Sequence, residues 1–205
     1  MIPFHKLCEP YVQRLGLFQV ARMKEINIDK WLLAGLIERW RPETHTFHLP
    51  VGEMTVTLQD VSCLWGLPIK GAPVTGLADV QASELVERLL GVGLAASLLK
   101  KKKKTGPNEE VVHTTSGYSI ELKELRNRFH VMPHEQPGEP TEEQVQQYTR
   151  AYILDLFGTM LYVDSSGDSV LAMYLQFLEN LNSPTQYNWG GAVLAVLYRN
   201  LCNAV

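Results

Sequence analysis

Cysteine is scarce in this 205-residue chain, which contains only Cys8, Cys63 and Cys202. The three are far apart, odd in number and form no Cys-x-x-Cys pair, so they predict neither a disulfide framework nor a zinc site. Apolar neighbours predict that Cys63 and Cys202 are buried, inert thiols on helices. A reduced intracellular compartment fits this cysteine usage best.

Long apolar runs and a strong excess of one charge are also lacking. No stretch approaches the roughly 18 apolar residues of a membrane span, and the first residues lack the apolar core of a signal peptide. A net charge of −3 argues against whole-surface attraction to nucleic acid or anionic membranes. We therefore expect a soluble cytosolic or nuclear protein whose 45% hydrophobic content is enough to bury a core.

Sequence motifs of catalysis are missing as well. The chain has no Gly-x-Ser-x-Gly elbow, no Walker motif and no Gly-x-Gly-x-x-Gly after a predicted strand. His134-Glu135 lacks the second histidine of a zincin, and the segment from Asp164 to Asp168 lacks the ligand spacing of a calcium loop. The residues therefore predict neither an enzyme nor a bound cofactor.

Apolar residues at helical spacing dominate the chain and predict a mainly α-helical, compact fold. Asp29, Thr57, Thr141 and Asn188 are predicted helix caps, and Gly16 is a predicted break. Each helix has an apolar stripe too wide to leave in water, so we expect the helices to share one core. The predicted helices cover residues 10–24, 30–40, 57–65, 83–90, 120–129, 141–160, 170–181 and 189–202.

A few short strands accompany these helices. Residues 44–49 and 53–56 alternate as strands and join around Pro50-Val51-Gly52, and residues 68–76 predict a loop or small hairpin. We interpret residues 1–205 as one domain. It has an N-terminal half at 1–90, a flexible lysine-rich linker at 91–117 and a helical C-terminal half at 118–205.

The segment from Glu38 to Thr55 concentrates charged, aromatic and histidine side chains between two apolar helical patterns. It predicts either a partner-binding surface or an internal hydrogen-bonded network that ties the strands to the helices. His45 and His48 are three residues apart on a predicted strand, where side chains alternate, so they should not share a metal ion. The candidate binding residues are Arg39, Trp40, Arg41, Glu43, His45, His48 and Glu53.

The lysine run consists of Lys100, Lys101, Lys102, Lys103 and Lys104. It is compatible with nuclear import, with contact to nucleic-acid phosphates, or with a merely solvated linker. Sequence-specific DNA recognition is disfavoured, because no predicted helix carries interleaved base-reading residues.

Several long motifs resemble one plant family. The motifs span most of the chain, from about residue 11 to residue 202, and the first is the most specific. They read LIERWRPETHTFHLP (36–50), GEMTVTLQDV (52–61), GLPIKG (66–71), YTRAYIL (148–154) and YNWGGAVLAVLYR (187–199). This pattern is similar to the plant mobile domain, which is sometimes labelled aminotransferase-like.

The resemblance implies a domain shared by transposable elements and host genes of the MAINTENANCE OF MERISTEMS type. Such host proteins are nuclear and act in transposon silencing, gene expression and meristem maintenance. They work with a PP7-like protein phosphatase, and paralogous plant mobile domain proteins are further expected partners. The family offers no catalytic residues to transfer. We therefore expect a non-enzymatic interaction domain, with a nucleic-acid-binding module or an unrecognised enzyme as the alternatives.

The aminotransferase label conflicts with the residues present. A pyridoxal-phosphate enzyme needs a Schiff-base lysine, an acidic partner for the pyridine nitrogen and a phosphate cup. Lys70 lies in a predicted turn, Lys123 lies on a predicted amphipathic helix, and the lysine run lies in the predicted linker. We therefore expect no pyridoxal-phosphate chemistry.

Overall fold

A computed structural model describes residues 1–23, 27–77, 81–91, 93–101, 118–132, 139–163 and 167–205. Within these ranges the fold is mainly helical with two small antiparallel sheets, which confirms the predicted class. No helix in this described part of the chain has both the length and the apolarity to cross a bilayer. The α-helices are α1 (Glu9–Arg14), α2 (Phe18–Ala21), α3 (Lys30–Ile37), α4 (Leu58–Trp65), α5 (Ala82–Leu90), α6 (Ala95–Leu98), α7 (Leu122–Arg128), α8 (Glu142–Leu156) and α9 (Trp189–Asn203).

Six short strands are described, in two three-stranded sheets with the orders β1-β2-β3 and β4-β5-β6. Short 3-10 segments occur at Lys6–Cys8 and Ala172–Leu178, and a π-helical turn at Phe157–Leu161 follows α8 directly. The strands are β1 (Trp40–Arg41), β2 (Thr46–Leu49), β3 (Gly52–Met54), β4 (Leu99–Lys101), β5 (Tyr118–Glu121) and β6 (Ser169–Leu171).

The chain forms two compact units, and each combines distant parts of the sequence. One unit contains Met1–Phe18 and Thr75–Thr185, and the other contains Gln19–Val74 and Gln186–Val205. This division does not follow the predicted halves at 1–90 and 118–205, because the first unit draws on both. The single-domain assignment of residues 1–205 stays a prediction.

Helix α8 is the centre of the first unit. It begins at a capping box, in which Thr141 and Gln144 each bond the other's backbone amide. Every residue from 148 to 156 is buried, and burial from Ala151 onward was predicted from the apolar sequence. Around it pack α5, α7 and the 3-10 helix Ala172–Leu178.

Two charged side chains, those of Arg150 and Asp155, are buried on α8 in the first unit. The Arg150 guanidinium donates to the carbonyl oxygens of Leu89, Leu178 and Glu179, at 2.9–3.2 Å. Burial lowers the pKa of Arg150 below its usual value. Through these hydrogen bonds Arg150 joins α8 to the C-terminal ends of α5 and of the 3-10 helix Ala172–Leu178, because it satisfies carbonyls that those ends leave open.

The second unit is built on a small meander and α9. Its register pairs Trp40 with Phe47 and His48 with Glu53. Asn188 caps α9 through its side chain, as predicted. Gly190 follows in the first turn, where a Cβ would lie only 2.7 Å from Ile69 Cγ2, so glycine allows the 66–71 loop to pack closely on this helix.

Several sequence predictions for secondary structure are wrong in detail. Residues 68–76 form a loop, one of the two predicted alternatives, and no hairpin; Ala72 makes an isolated parallel bridge with Tyr187, a partner that local sequence cannot reveal. Part of the predicted linker is ordered, because α6 and β4 occupy residues 95–101 and β4 pairs with β5. Residues 102–117 lie outside the described residues. The predicted helix at 170–181 is strand β6 followed by a 3-10 helix.

The predicted helix at 30–40 is shorter than expected. Asp29 caps α3 by accepting from the amides of Trp31 and Leu32, as predicted, but the helix ends at Ile37 and Trp40 enters β1. No residue of α3 is buried. The expectation that every apolar stripe joins the core is therefore wrong for this helix.

Candidate partner-binding surface

Trp40 anchors the sheet that carries the predicted binding residues. Its side chain is 0% exposed, and its ring packs at 4.8 Å from Phe47 and 5.4 Å from Tyr198 between centroids. Its indole N–H donates to Cys202 Sγ at 3.3 Å. Trp40 is therefore a core residue of the second unit, and its predicted role as a surface contact is replaced by an anchoring one.

The turn between β1 and β2 is fixed on α9 by an aromatic stack and hydroxyl bonds. His45 adopts a left-handed backbone, with φ of 53°, and its ring stacks on Tyr198 at 5.4 Å and 13° between planes. Tyr198 donates to the Val56 carbonyl at 2.7 Å, and Thr55 Oγ1 donates to the His45 carbonyl at 2.7 Å. These contacts hold an exposed non-glycine residue in a conformation that is otherwise unfavourable.

His48 belongs to a different contact from His45. Its Nε2 lies 3.3 Å from Glu53 Oε1 across the β2–β3 pair, and Glu53 also accepts from Thr46 Oγ1 at 3.3 Å. Both side chains of the pair are about half exposed, so we expect a weak stabilising contribution of roughly 0–1 kcal/mol. The structure thus places the two histidines on separate partners.

The remaining predicted residues are Arg39, Arg41 and Glu43, which lie before, in and after strand β1. Arg39 Nη1 donates to the Gly35 carbonyl at 2.7 Å and closes the C-terminal turn of α3, while Arg41 Nη1 lies 3.4 Å from the Trp40 carbonyl. The side chains of Arg39, Arg41 and Glu43 are exposed, as are those of His45, His48 and Glu53. The interpretation as a buried polar network is therefore wrong, because these groups are in contact with water.

We call the exposed side chains of Arg39, Arg41, Glu43, His45, His48 and Glu53 the meander surface. It carries two arginines, two glutamates and two histidines next to the buried Trp40, which suits ion pairs and hydrogen bonds with a polar partner. Among the residues that the structure describes, no group of three or more His, Cys, Asp or Glu side chains is placed to hold a metal ion.

Only part of the lysine run is described. Lys100 Nζ lies 2.6 Å from Glu121 Oε2, and this hydrogen bond raises the pKa of Lys100. Lys101 is in β4. Lys102, Lys103 and Lys104 lie outside the described residues, as do His134, Glu135 and Asp164. The cation of Lys100 is already paired within the first unit, which makes it a poorer phosphate contact.

Three side chains differ from expectation or were not foreseen. Cys63 is exposed, so the prediction that it is buried is wrong: it falls on the outward face of α4. Cys202 is half-buried and accepts the Trp40 bond. Tyr198, which positions the meander, was missed because it lies more than 140 residues away in sequence from Thr55 and Val56.

An open groove of about 370 Å³ lies in the first unit. Its lining contains no histidine or cysteine and consists of Leu7, Pro10, Tyr11, Arg14, Glu142, Val145 and Asn182.

Comparison with known proteins identifies relatives over nearly the whole chain. The plant mobile domain family model matches residues 16–205. The chain is 38% identical over 97% of its length to the Arabidopsis thaliana "Serine/threonine-protein phosphatase 7 long form homolog", of which it covers 13%. It is 38% identical over 94% of its length to "Protein MAIN-LIKE 2", covering 26%, and 33% identical over 94% to "Protein MAINTENANCE OF MERISTEMS", covering 36%, both from the same plant. No solved structure matches the chain.

Proposed function

This chain belongs to the plant mobile domain family, and we propose that it is a non-enzymatic protein-interaction domain of a nuclear complex. That complex would act in transposon silencing, control of gene expression, and meristem and genome maintenance. The chain spans between 13% and 36% of the relatives reported above. The activities of those longer proteins are therefore part of the proposal.

The meander surface is the observation that carries an interaction role. Six polar side chains are exposed on the strands and turns of a small meander that is held in place by buried Trp40 and by Tyr198. A pre-ordered surface loses little conformational entropy on binding, which favours recognition of a partner. Its arginines are a residue type enriched at protein interfaces.

A PP7-like protein phosphatase is the partner that we propose. A relative named as a phosphatase 7 long form homologue contains a region 38% identical to this chain, and that region is only 13% of its length. A domain of this kind therefore occurs in one polypeptide with a phosphatase-type name. Association in trans between a plant mobile domain and a separate phosphatase would bring together the same two elements.

The test is a pull-down of the PP7-like phosphatase with the double variant Arg39→Ala and Arg41→Ala. We expect at least a tenfold loss of binding, because two exposed cations leave the meander surface while Trp40 stays in place. The matched control is Lys123→Ala with Arg128→Ala, which removes two exposed cations from α7. Equal binding by both double variants, with unchanged circular dichroism, would contradict the proposed surface.

Nucleic-acid binding is the second candidate, carried by the lysine run. It would show an affinity that falls steeply with salt and disappears when residues 100–104 are replaced by glutamine. Lys100 already pairs with Glu121, so we rank this function below protein docking.

A further inference from the structure

Helix α3 leaves large apolar side chains in water. Trp31 is 89% exposed, Leu32 is 63% exposed and Leu33 is 42% exposed, and no residue of the helix is buried. Because burying apolar surface is favourable, an isolated chain forgoes stability at this helix. At 100° per residue these three side chains point to different sides of the helix, and Trp31 is the most exposed of them.

The charges at the two ends of α3 are complementary to each other. Lys30 is four residues before Ala34, Glu38 is four residues after it, and all three are exposed. At 100° per residue, Lys30, Trp31, Ala34 and Glu38 lie within about a third of the helix circumference. Glu38 continues the helical backbone as the C-cap, with φ of −57° and ψ of −24°, so it shares this face. We call these four side chains the α3 face.

We propose that the α3 face binds the α3 face of a second copy of this chain, in an antiparallel pair with two-fold symmetry. Antiparallel alignment about Ala34 places Lys30 of each copy beside Glu38 of the other, which gives two ion pairs from one sequence. The same alignment places the positive N-terminal end of each helix beside the negative C-terminal end of the other, which is favourable. A two-fold interface requires exactly this self-complementarity of one patch.

Small residues at the centre of α3 make room for the tryptophan. Ala34 lies on the α3 face, and Gly35 follows it; a Cβ added at Gly35 would be in ordinary contact with Arg39 Nη1, at 3.7 Å. The indole of Trp31 from one copy can pack over these two positions of the other. Each copy would then bury one large aromatic ring against a small-residue surface, as hot spots at interfaces do.

The size of the face sets the expected affinity. An eight-residue helix is about 12 Å long, so this interface falls at the low end of the areas found for specific complexes. We expect reversible dimers with a Kd on the order of 10–100 µM. Charge reversal at Lys30 or Glu38 leaves every side chain of the meander surface in place, so either proposal can fail alone.

Charge reversal tests the pairing directly by sedimentation equilibrium of the purified chain. We expect Lys30→Glu alone and Glu38→Lys alone to weaken dimerisation at least tenfold, because each sets like charges opposite each other. An equimolar mixture of the two variants should form heterodimers, and the double variant should regain the dimer. Trp31→Ala should be monomeric, whereas Lys70→Glu and Leu64→Ala should dimerise normally as controls for charge and apolar exposure.

Unfolding of the variants would not produce this pattern of lost and restored dimerisation. Glutamate at the N-terminal end of α3 and lysine at its C-terminal end both favour the helix dipole, so the single reversals should retain the helix. A wild-type chain that stays monomeric at several hundred micromolar would overturn the proposal. So would single variants that fail to dimerise with each other when mixed, or capture of a different protein by Trp31 while the pure chain stays monomeric.

Discussion

Replacing Tyr198 with phenylalanine tests how the meander surface is held on α9. The Tyr198 hydroxyl donates to the Val56 carbonyl at 2.7 Å and lies 2.9 Å from Thr55 Oγ1, which itself bonds the His45 carbonyl at 2.7 Å. Three contacts thus share two hydroxyl protons. Since each carbonyl needs one of those protons, the two hydroxyls have none left for each other.

The expected losses in the free energy of unfolding follow from this count of hydroxyl protons. Tyr198→Phe removes one net hydrogen bond to a carbonyl and should lower the free energy of unfolding by about 1 kcal/mol. Thr55→Val should cost a similar amount through the His45 carbonyl. Because each hydroxyl serves its own acceptor, the double variant should be additive within about 0.5 kcal/mol. The ring stack on His45 remains in Tyr198→Phe, so the turn should keep its conformation.

Tryptophan fluorescence during urea unfolding is a suitable assay. Every tryptophan belongs to the second unit, so the signal reports that unit alone; they are Trp31, Trp40, Trp65 and Trp189. With an m value of about 1 kcal/mol/M, a 1 kcal/mol loss moves the midpoint by about 1 M. A coupling energy above about 1 kcal/mol between the two variants would refute the proton count and show that the hydroxyls bond each other.

Three further outcomes test other parts of the molecule. Arg126→Ala should destabilise the first unit by about 3 kcal/mol, because it leaves the fully buried Asp155 carboxylate without its cation; urea unfolding by circular dichroism measures this. The hydrogen bond from the Thr57 side chain lowers the pKa of Asp60 below its ordinary value of 3.8. The stabilisation of α4 by the Asp60 carboxylate is therefore fully present above pH 3.8 and is lost as the pH falls through the lowered pKa. The protection of the α4 amides, measured relative to their intrinsic exchange rates, should therefore fall below that pH. Cys63 is exposed and should react with a thiol reagent in the native state.

Matched controls accompany these outcomes. Arg128→Ala on the same helix as Arg126 should cost little, and an equal loss from both variants would contradict the buried-pair argument. Thr57→Val should weaken the acid dependence of α4, since it removes the side-chain hydrogen bond, which is the larger of the two Thr57 bonds that lower the pKa of Asp60. Cys8 is buried and burial raises its thiol pKa, so it should react only after unfolding; simultaneous labelling of Cys8 and Cys63 would contradict the described exposures.

Local signals in the sequence predicted the helix starts well. Asp29, Thr57, Thr141 and Asn188 each cap a helix at the predicted position, because a cap depends on residues two or three positions away. The β2–β3 hairpin was predicted for the same reason. Strand pairing between distant segments was not predicted, because β5 pairs with β4 and β6 through contacts that form only in the folded chain.

The candidate site divides in the same way. Its residues were identified from the sequence, since the motif around Trp40 both resembles the family and concentrates polar groups. Sequence could not decide between a buried network and an exposed surface, because the answer depends on which side chains of the meander pack against α9. The structure places Trp40 in the core and its charged neighbours in water.

The amino-acid sequence by itself therefore determined the family, the mainly helical class and the caps that start the helices. These properties depend on residue identity and on contacts within one turn. Tertiary structure decided what is buried: it made Trp40 an anchor and left Trp31 and Cys63 in contact with water. Burial is decided by long-range packing, and an apolar stripe does not specify whether its own chain or another molecule covers it.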